Sequence, residues 1–109
     1  MIGNMLIIIW LHFIADFLLQ SDKMAMNKSR DIRQLGIHCA VYALPFLLFG
    51  IEFALITCGA HFIIDFISSR LTSYYWKTKQ RHWFFVTIGF DQAIHLTCLI
   101  LLLELLGIT

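Results

Sequence analysis

The chain has 109 residues, 60% of them hydrophobic and only 14% charged, and its mean hydropathy is +0.80. A soluble domain of this size carries more polar residues than that, so the expected class is an all-α polytopic membrane protein. Gly-rich phosphate loops, nucleophile elbows and nucleic-acid-binding motifs are all missing from the sequence, and no nucleic-acid partner is expected.

A membrane span needs about 20 mostly apolar residues. Four candidates follow one another: about Ile2 to Gln20, Ile32 to Gly50, Ile51 to Leu71 and Phe84 to Leu106. They predict four transmembrane helices in one membrane domain over 1–109, built as two helical hairpins, 1–50 and 51–109. Met1 to Gln20 lacks the basic start and small-residue cleavage pattern of a signal peptide, and is expected to be a helix of the mature protein. Between the first two spans lies SDKMAMNKSRDIRQ, with Lys23, Lys28, Arg30 and Arg33. Pro45 is expected to kink the second span or to be tolerated within it. Between the third and fourth spans, SYYWKTKQRHWFF reads as an interfacial elbow rich in Trp and Tyr, flanked by Arg70, Lys77, Lys79 and Arg81. The positive-inside rule then puts both basic loops in the cytoplasm and both termini outside, in a bacterial inner membrane. Cys39, Cys58 and Cys98 fall singly within spans and read as small buried hydrophobes.

Two phrases recur. HFIADF at His12 to Phe17 returns as HFIIDF at His61 to Phe66, and QLGIH ending at His38 is echoed by DQAIH ending at His95. Both halves run in the same direction, so the repeat is parallel, about an axis along the membrane normal. Residues four apart share a helix face. That gives one polar stripe per span: His12, Asp16 and Gln20; Gln34, His38 and Tyr42; Thr57, His61, Asp65 and Ser69; Thr87, Asp91 and His95. Each stripe is expected to face the bundle interior, because lipid offers no partner to an ionisable group. By helical rise, Asp16, Asp65 and Asp91 lie roughly 7 to 11 Å from the cytoplasmic ends of their helices, His12, His61 and His95 roughly 13 to 17 Å, and His38 roughly 6 to 9 Å. The ionisable groups should therefore meet in one layer.

Four histidines and three aspartates in a low-dielectric interior match the donors of a divalent transition metal such as zinc, manganese or iron, as one ion or two. His12, Asp16, His38, His61, Asp65, His95 and Asp91 are the candidate ligands. The repeat suggests two half-sites, one at His12, Asp16 and His38, the other at His61, Asp65 and His95. Asp91 breaks the symmetry, since Gln34 holds its echo position, and is the expected bridging ligand or general base. Gln20, Gln34 and Gln92 are expected to support ligands by hydrogen bonds. Tyr42, Thr57 and Thr87 read as inner packing with satisfied hydroxyls. The basic loop is ordinary topology-setting flank, touching anionic lipid, or a rim in which Lys28, Arg33 and Arg70 bind a phosphorylated substrate.

His12, Asp16, Gln20, Asp22 and Lys28, followed by His38, HFIID and DQAIH, resemble a family of small bacterial and phage membrane proteins catalogued as a domain of unknown function. The likeness covers nearly the whole chain and implies a shared architecture and polar set, with no reaction attached. Intramembrane His and Asp motifs also give a looser likeness to bacterial membrane-bound metal-dependent hydrolases, from which this chain departs in having no long hydrophilic insertion. The leading expectation is a metal-dependent hydrolase of a lipid or other phosphorylated substrate. Two others compete: an oligomeric proton or metal-ion transporter using the same layer, for which a homo-oligomer is required, and a phage or prophage membrane interaction factor with a structural polar core.

Overall fold

The computed structural model describes residues 2–108, apart from the side chain of Ala25. All regular structure among them is helical. Helix α1, Ile2–Phe13, continues through a π-helical turn at Ile14–Leu18; α2 is Asp22–Asn27; α3, Ile32–Ala43, tightens into a 3-10 segment at Leu44–Phe49; α4 is Ile51–Lys77 and α5 Arg81–Leu105.

Local chemistry accounts for most of the boundaries. Ser21 caps α2 by accepting from the Met24 amide, and Asp31 caps α3 by accepting from the Arg33 amide. Pro45, which has no amide hydrogen to give an α-helix, sits at the start of the 3-10 segment, so the second span ends by tightening at Pro45. Gly50 turns the chain from that segment into α4 at φ 108°, a backbone conformation that disfavours any side chain. Helices α4 and α5 both end in a left-handed residue followed by a 6→1 bond. Lys79 at φ 61° precedes Gln80, whose amide donates to the Tyr75 carbonyl at 2.9 Å, and Gly107 at φ 68° precedes Ile108, which donates to Leu103 at 2.9 Å.

Two sequence expectations change here. The segment expected as an elbow is mostly helical: Ser73–Lys77 completes α4, Arg81–Phe85 opens α5, and only three residues intervene. The stretch holds no proline or glycine to break it, and the Lys79 motif closes it tightly. The basic loop between the first two spans is itself partly helical, as α2.

Among the described residues three helical segments, Ile32–Phe49, Ile51–Lys77 and Arg81–Leu105, are long and apolar enough to cross a membrane, and Ile2–Leu18 is a shorter apolar helix. At 1.5 Å per residue that first helix reaches about 25 Å, against about 30 Å of hydrocarbon. The helices close a ring: α3 packs along α4, α4 along α5, α5 against α1, and the π-helical turn of α1 against α3.

Burial follows membrane logic. Trp10, Phe13, Phe17, Ile63, Phe90 and Leu105 are exposed, while among the described residues nine polar or ionisable side chains are buried: His12, Asp16, His38, Thr57, His61, Asp65, Ser69, Asp91 and His95. On one side of that polar layer, Ile8, Tyr42, Phe46, Phe53, Leu99, Leu102 and Leu103 form a dry core. Cys39 is buried and Cys58 and Cys98 half-buried, all three as free thiols.

Candidate metal centre

Each helix of the ring brings its stripe to one layer. Helix α1 supplies His12, and its π-helical turn supplies Asp16; the Leu19 amide reaches the Ile14 carbonyl at 2.9 Å, one residue beyond the α-helical partner. Helix α3 gives His38 and Tyr42, α4 gives His61, Asp65 and Ser69, and α5 gives Asp91 and His95.

Four donor atoms converge from three of these helices. His38 Nε2 lies 3.0 Å from His61 Nε2, 3.1 Å from Asp16 Oδ1 and 3.3 Å from Asp65 Oδ2. His61 Nε2 lies 3.3 Å from Asp65 Oδ2 and 3.7 Å from Asp16 Oδ1. These are five of the six edges of a tetrahedron. Ligands placed tetrahedrally about 2.0–2.1 Å from a zinc ion stand about 3.3–3.4 Å from one another. The set therefore has the size of a metal shell, and its two imidazoles and two carboxylates have the chemistry of one.

A second group adjoins it, made of Asp16, Asp91 and His95. His95 Nε2 is 3.2 Å from Asp91 Oδ1 and 3.1 Å from Asp65 Oδ1. Asp65 thus turns one oxygen to each group, and Asp16 belongs to both. Facing helices of a bundle are a known setting for paired metals bridged by carboxylates. These buried His and Asp groups could hold a metal ion.

Charge supports the same use. Asp16, Asp65 and Asp91 face one ammonium, Lys28, whose Nζ is 3.1 Å from Asp65 Oδ2. With neutral imidazoles the layer keeps two negative charges, which one divalent ion balances. Burial works against the charge on Lys28, and the Asp65 and Asp16 carboxylates outweigh it and hold the lysine pKa above its usual value. The Nδ1 atoms of His38 and His61 are unpartnered.

His12 stands outside both groups. Its Nδ1 is 2.7 Å from the Tyr42 hydroxyl and its Nε2 2.6 Å from Gln92 Oε1. Because an amide oxygen only accepts, Nε2 carries the proton and Nδ1 accepts from Tyr42. The Gln92 amide nitrogen then donates to Asp16 Oδ2 at 3.3 Å and to Asp91 Oδ2 at 3.1 Å. The grouping consequently runs across the repeat, where the echo of the two halves suggests half-sites within each. His38 joins His61 and Asp65 of the second half, and Asp16 and Asp65, with Asp91 beside them, are the shared or adjoining carboxylates.

The expected supports and rim divide in the same way. Gln92 touches the layer, Gln20 is half-buried with its carbonyl oxygen unpartnered, and Gln34 makes no side-chain hydrogen bond among the described residues. Of the cationic rim only Lys28 enters. Arg33 is exposed on the first turn of α3, and Arg70 turns back on its own helix, donating to the Phe66 carbonyl at 2.8 Å with its guanidinium 3.7 Å above the Phe66 ring. Tyr42 has the satisfied hydroxyl expected of it and stacks on His61 at 3.8 Å between ring centres. Thr87 is satisfied by the Trp83 carbonyl, whereas Thr57 is buried without a partner. Ser68, which the helical stripe omits, donates to Asp91 Oδ1. A cleft of about 230 Å³ opens onto the layer beside Lys28, Ser69, Thr72 and Asp91.

A family model described as "Protein of unknown function (DUF3307)" matches residues 4–109. The chain belongs to the DUF3307 family. No curated protein and no solved structure matches it. Membership of the DUF3307 family agrees with the motif resemblance and attaches no reaction to the His and Asp layer, so function rests on the geometry.

Proposed function

We propose that the chain is a four-span protein of a bacterial inner membrane that holds one or two divalent metal ions and hydrolyses a phosphorylated substrate at the cytoplasmic face. The observation that carries this reading is the near-tetrahedral spacing of His38 Nε2, His61 Nε2, Asp16 Oδ1 and Asp65 Oδ2. The basic loops at Lys23–Arg33 and Arg70–Arg81 support the orientation, both termini then lying outside and the two hairpins forming a parallel repeat.

In this function His38, His61, Asp16 and Asp65 would hold one ion and Asp16, Asp91 and His95 a second, and a divalent ion there would supply Lewis acidity toward a phosphoryl oxygen and toward water. Lys28 lies at the cleft, where its ammonium pairs with a phosphate oxygen. Asp91 is the general base. It is 9% exposed, at the boundary of cleft and layer, and Ser68 and Gln92 fix its carboxylate. It takes the proton of the attacking water and returns it to the alcohol oxygen as the phosphorus–oxygen ester bond breaks, so that water and ester become alcohol and phosphate.

The test is elemental analysis of protein purified without chelators or a histidine tag, followed by phosphate release from phosphomonoesters. One or two equivalents of metal that disappear in Asp65→Ala, together with metal-dependent phosphate release, support the reading. A folded protein without metal overturns it.

A further inference from the structure

Three hydroxyl-bearing residues of α4, Ser68, Ser69 and Thr72, line the polar cleft beside Lys28 and Asp91, and their hydroxyls are used differently. A serine or threonine in a helix ordinarily returns its hydroxyl to a carbonyl of the preceding turn. Thr72 does so, donating to the Ser69 carbonyl at 3.0 Å. Ser69 is 5% exposed, and its hydroxyl is enclosed without a partner. Ser68 is half-buried, and its hydroxyl leaves its own helix to donate across the cleft to Asp91 Oδ1 on α5 at 2.5 Å.

The surroundings of that hydroxyl are those of an activated nucleophile. Asp91 accepts the Ser68 proton, His95 Nε2 lies 3.2 Å from the same Asp91 oxygen, and the Gln92 amide donates to the other at 3.1 Å. Hydroxyl, base and the groups that orient the base are therefore in contact, the arrangement that turns a weak serine nucleophile into a competent one. A carboxylate is a sufficient base when the electrophile is a phosphoryl group, because the transition state is loose; the aspartate of protein kinases accepts a hydroxyl proton in this way. Ser68 also stands one helical turn, about 4.5 Å of rise, from Asp65, whose Oδ2 touches Lys28 Nζ. A phosphoryl group paired with Lys28 is thus about one turn from the Ser68 hydroxyl.

We infer that Ser68 is the nucleophile of the proposed hydrolase, and that the phosphoryl group passes through a phosphoserine before water receives it. This rests on the phosphoester reading and moves the attack of water to a second step. In the first, Ser68 Oγ bonds to phosphorus as the bond from phosphorus to the alcohol oxygen breaks, and Asp91 takes the serine proton and delivers it to the departing alcohol. In the second, water attacks the phosphoserine, and Asp91 takes its proton and returns it to Ser68 Oγ as the phosphorus–Oγ bond breaks. The two steps sum to ester plus water giving alcohol plus phosphate, with enzyme regenerated. Asp91 serves as base and acid in both, which its place between Ser68 and the metal layer permits.

The experiment makes two measurements on the full chain in detergent, loaded with zinc. A dialkyl fluorophosphate reacts with an activated serine by loss of fluoride and needs no turnover, so peptide mapping by mass spectrometry locates the nucleophile directly. The adduct should form on Ser68, be absent from Ser68→Ala, and form about 100-fold more slowly in Asp91→Asn, which lacks the base. The second measurement is the steric course at phosphorus with a phosphomonoester made chiral by oxygen isotopes. Passage through Ser68 comprises two in-line displacements and retains configuration, whereas direct attack by water inverts it. A merely structural Ser68, serving to orient Asp91, gives neither adduct nor retention. Absence of an adduct on Ser68 overturns the inference whatever the turnover, and phosphate released with inversion overturns it while leaving the hydrolase standing. An adduct on Ser68 in a protein that releases no phosphate sustains the nucleophile and rejects the phosphomonoester reading.

Discussion

The Nε2 atoms of His38 and His61 face each other across 3.0 Å in the middle of the bundle. Two neutral imidazoles at that distance can share one proton at most, and Asp16 and Asp65 press on the same point from the other sides. A divalent ion satisfies all four atoms together. Adding zinc to chelator-treated protein should therefore raise its melting temperature in detergent by on the order of 10 °C, the stabilisation that a ligand at about 100 times its dissociation constant gives a domain of this size. The shift should vanish in His38→Ala and in His61→Ala. A wild-type melting temperature indifferent to zinc, manganese and iron rejects the shell.

Asp91 adjoins the four-atom shell of the first ion without belonging to it, so its replacement tests the base and the second ion's ligand set while leaving the first shell intact, and Ser68 and Gln92 can hold an amide in its place. Asp91→Asn should keep the metal of the first group and lower kcat by about 10²–10⁴, the usual worth of a positioned general base. Phosphate release from the purified variant, read beside its metal content, checks this. Full activity removes Asp91 from the mechanism.

Lys28 belongs to the loop yet reaches the layer. Its ammonium touches Asp65 Oδ2 and lines the cleft, while Ser73 donates to Ser29 at 2.9 Å and ties the loop to α4. Lys28→Met should raise KM for a phosphomonoester by about 10-fold or more, as expected for the loss of one charge-assisted hydrogen bond, with a smaller change in kcat. Lys28→Arg should recover part of the affinity. Equal KM values for wild type and Lys28→Met, with the fold intact, exclude Lys28 from substrate binding.

The stripes were legible because the bilayer sharpens the signal: in a chain this apolar, His and Asp four residues apart can only face inward, and His61 with Asp65 and Asp91 with His95 do so at 3.2–3.3 Å. Which stripes share a ligand set was not legible. Repetition in sequence reports ancestry along the chain, whereas the donor set is chosen by ring order, and α3 packs on α4. His12 and Asp16 show the same limit. Their spacing matches that of His61 and Asp65, but the π-helical turn begins between them and the pair stands 3.8 Å apart, with His12 bound elsewhere. Arg70 lies back on its own helix for a local reason, since the Phe66 carbonyl and ring stand one turn away. Lys28 was named for the rim and not for the interior, because no periodicity within a loop encodes how deep a long side chain reaches.

Gln92 is the residue through which His12 acts on the centre. Its carbonyl oxygen takes the His12 Nε2 proton at 2.6 Å, while its amide nitrogen holds Asp16 and Asp91, one from each end of the second group. Only a carboxamide accepts from a histidine and donates to two carboxylates at once. Gln92→Leu strands the His12 proton and frees both carboxylates, and it should weaken metal binding by about 10–100-fold, as loss of a group orienting metal ligands does. Tyr42→Phe removes the other His12 partner and touches no carboxylate, so its metal affinity should stay within about three-fold of wild type, a change smaller than any ligand-orienting loss. Competition titration with a zinc indicator measures both. Nitrogen NMR of the His12 ring supplies the readout that mere destabilisation would not move: the Nε2-protonated tautomer of the wild type should persist in Tyr42→Phe and be lost in Gln92→Leu. Equal metal affinities for wild type and Gln92→Leu would mean that Asp16 and Asp91 hold their places unaided, and that Gln92 and His12 serve only the packing of α1 on α5.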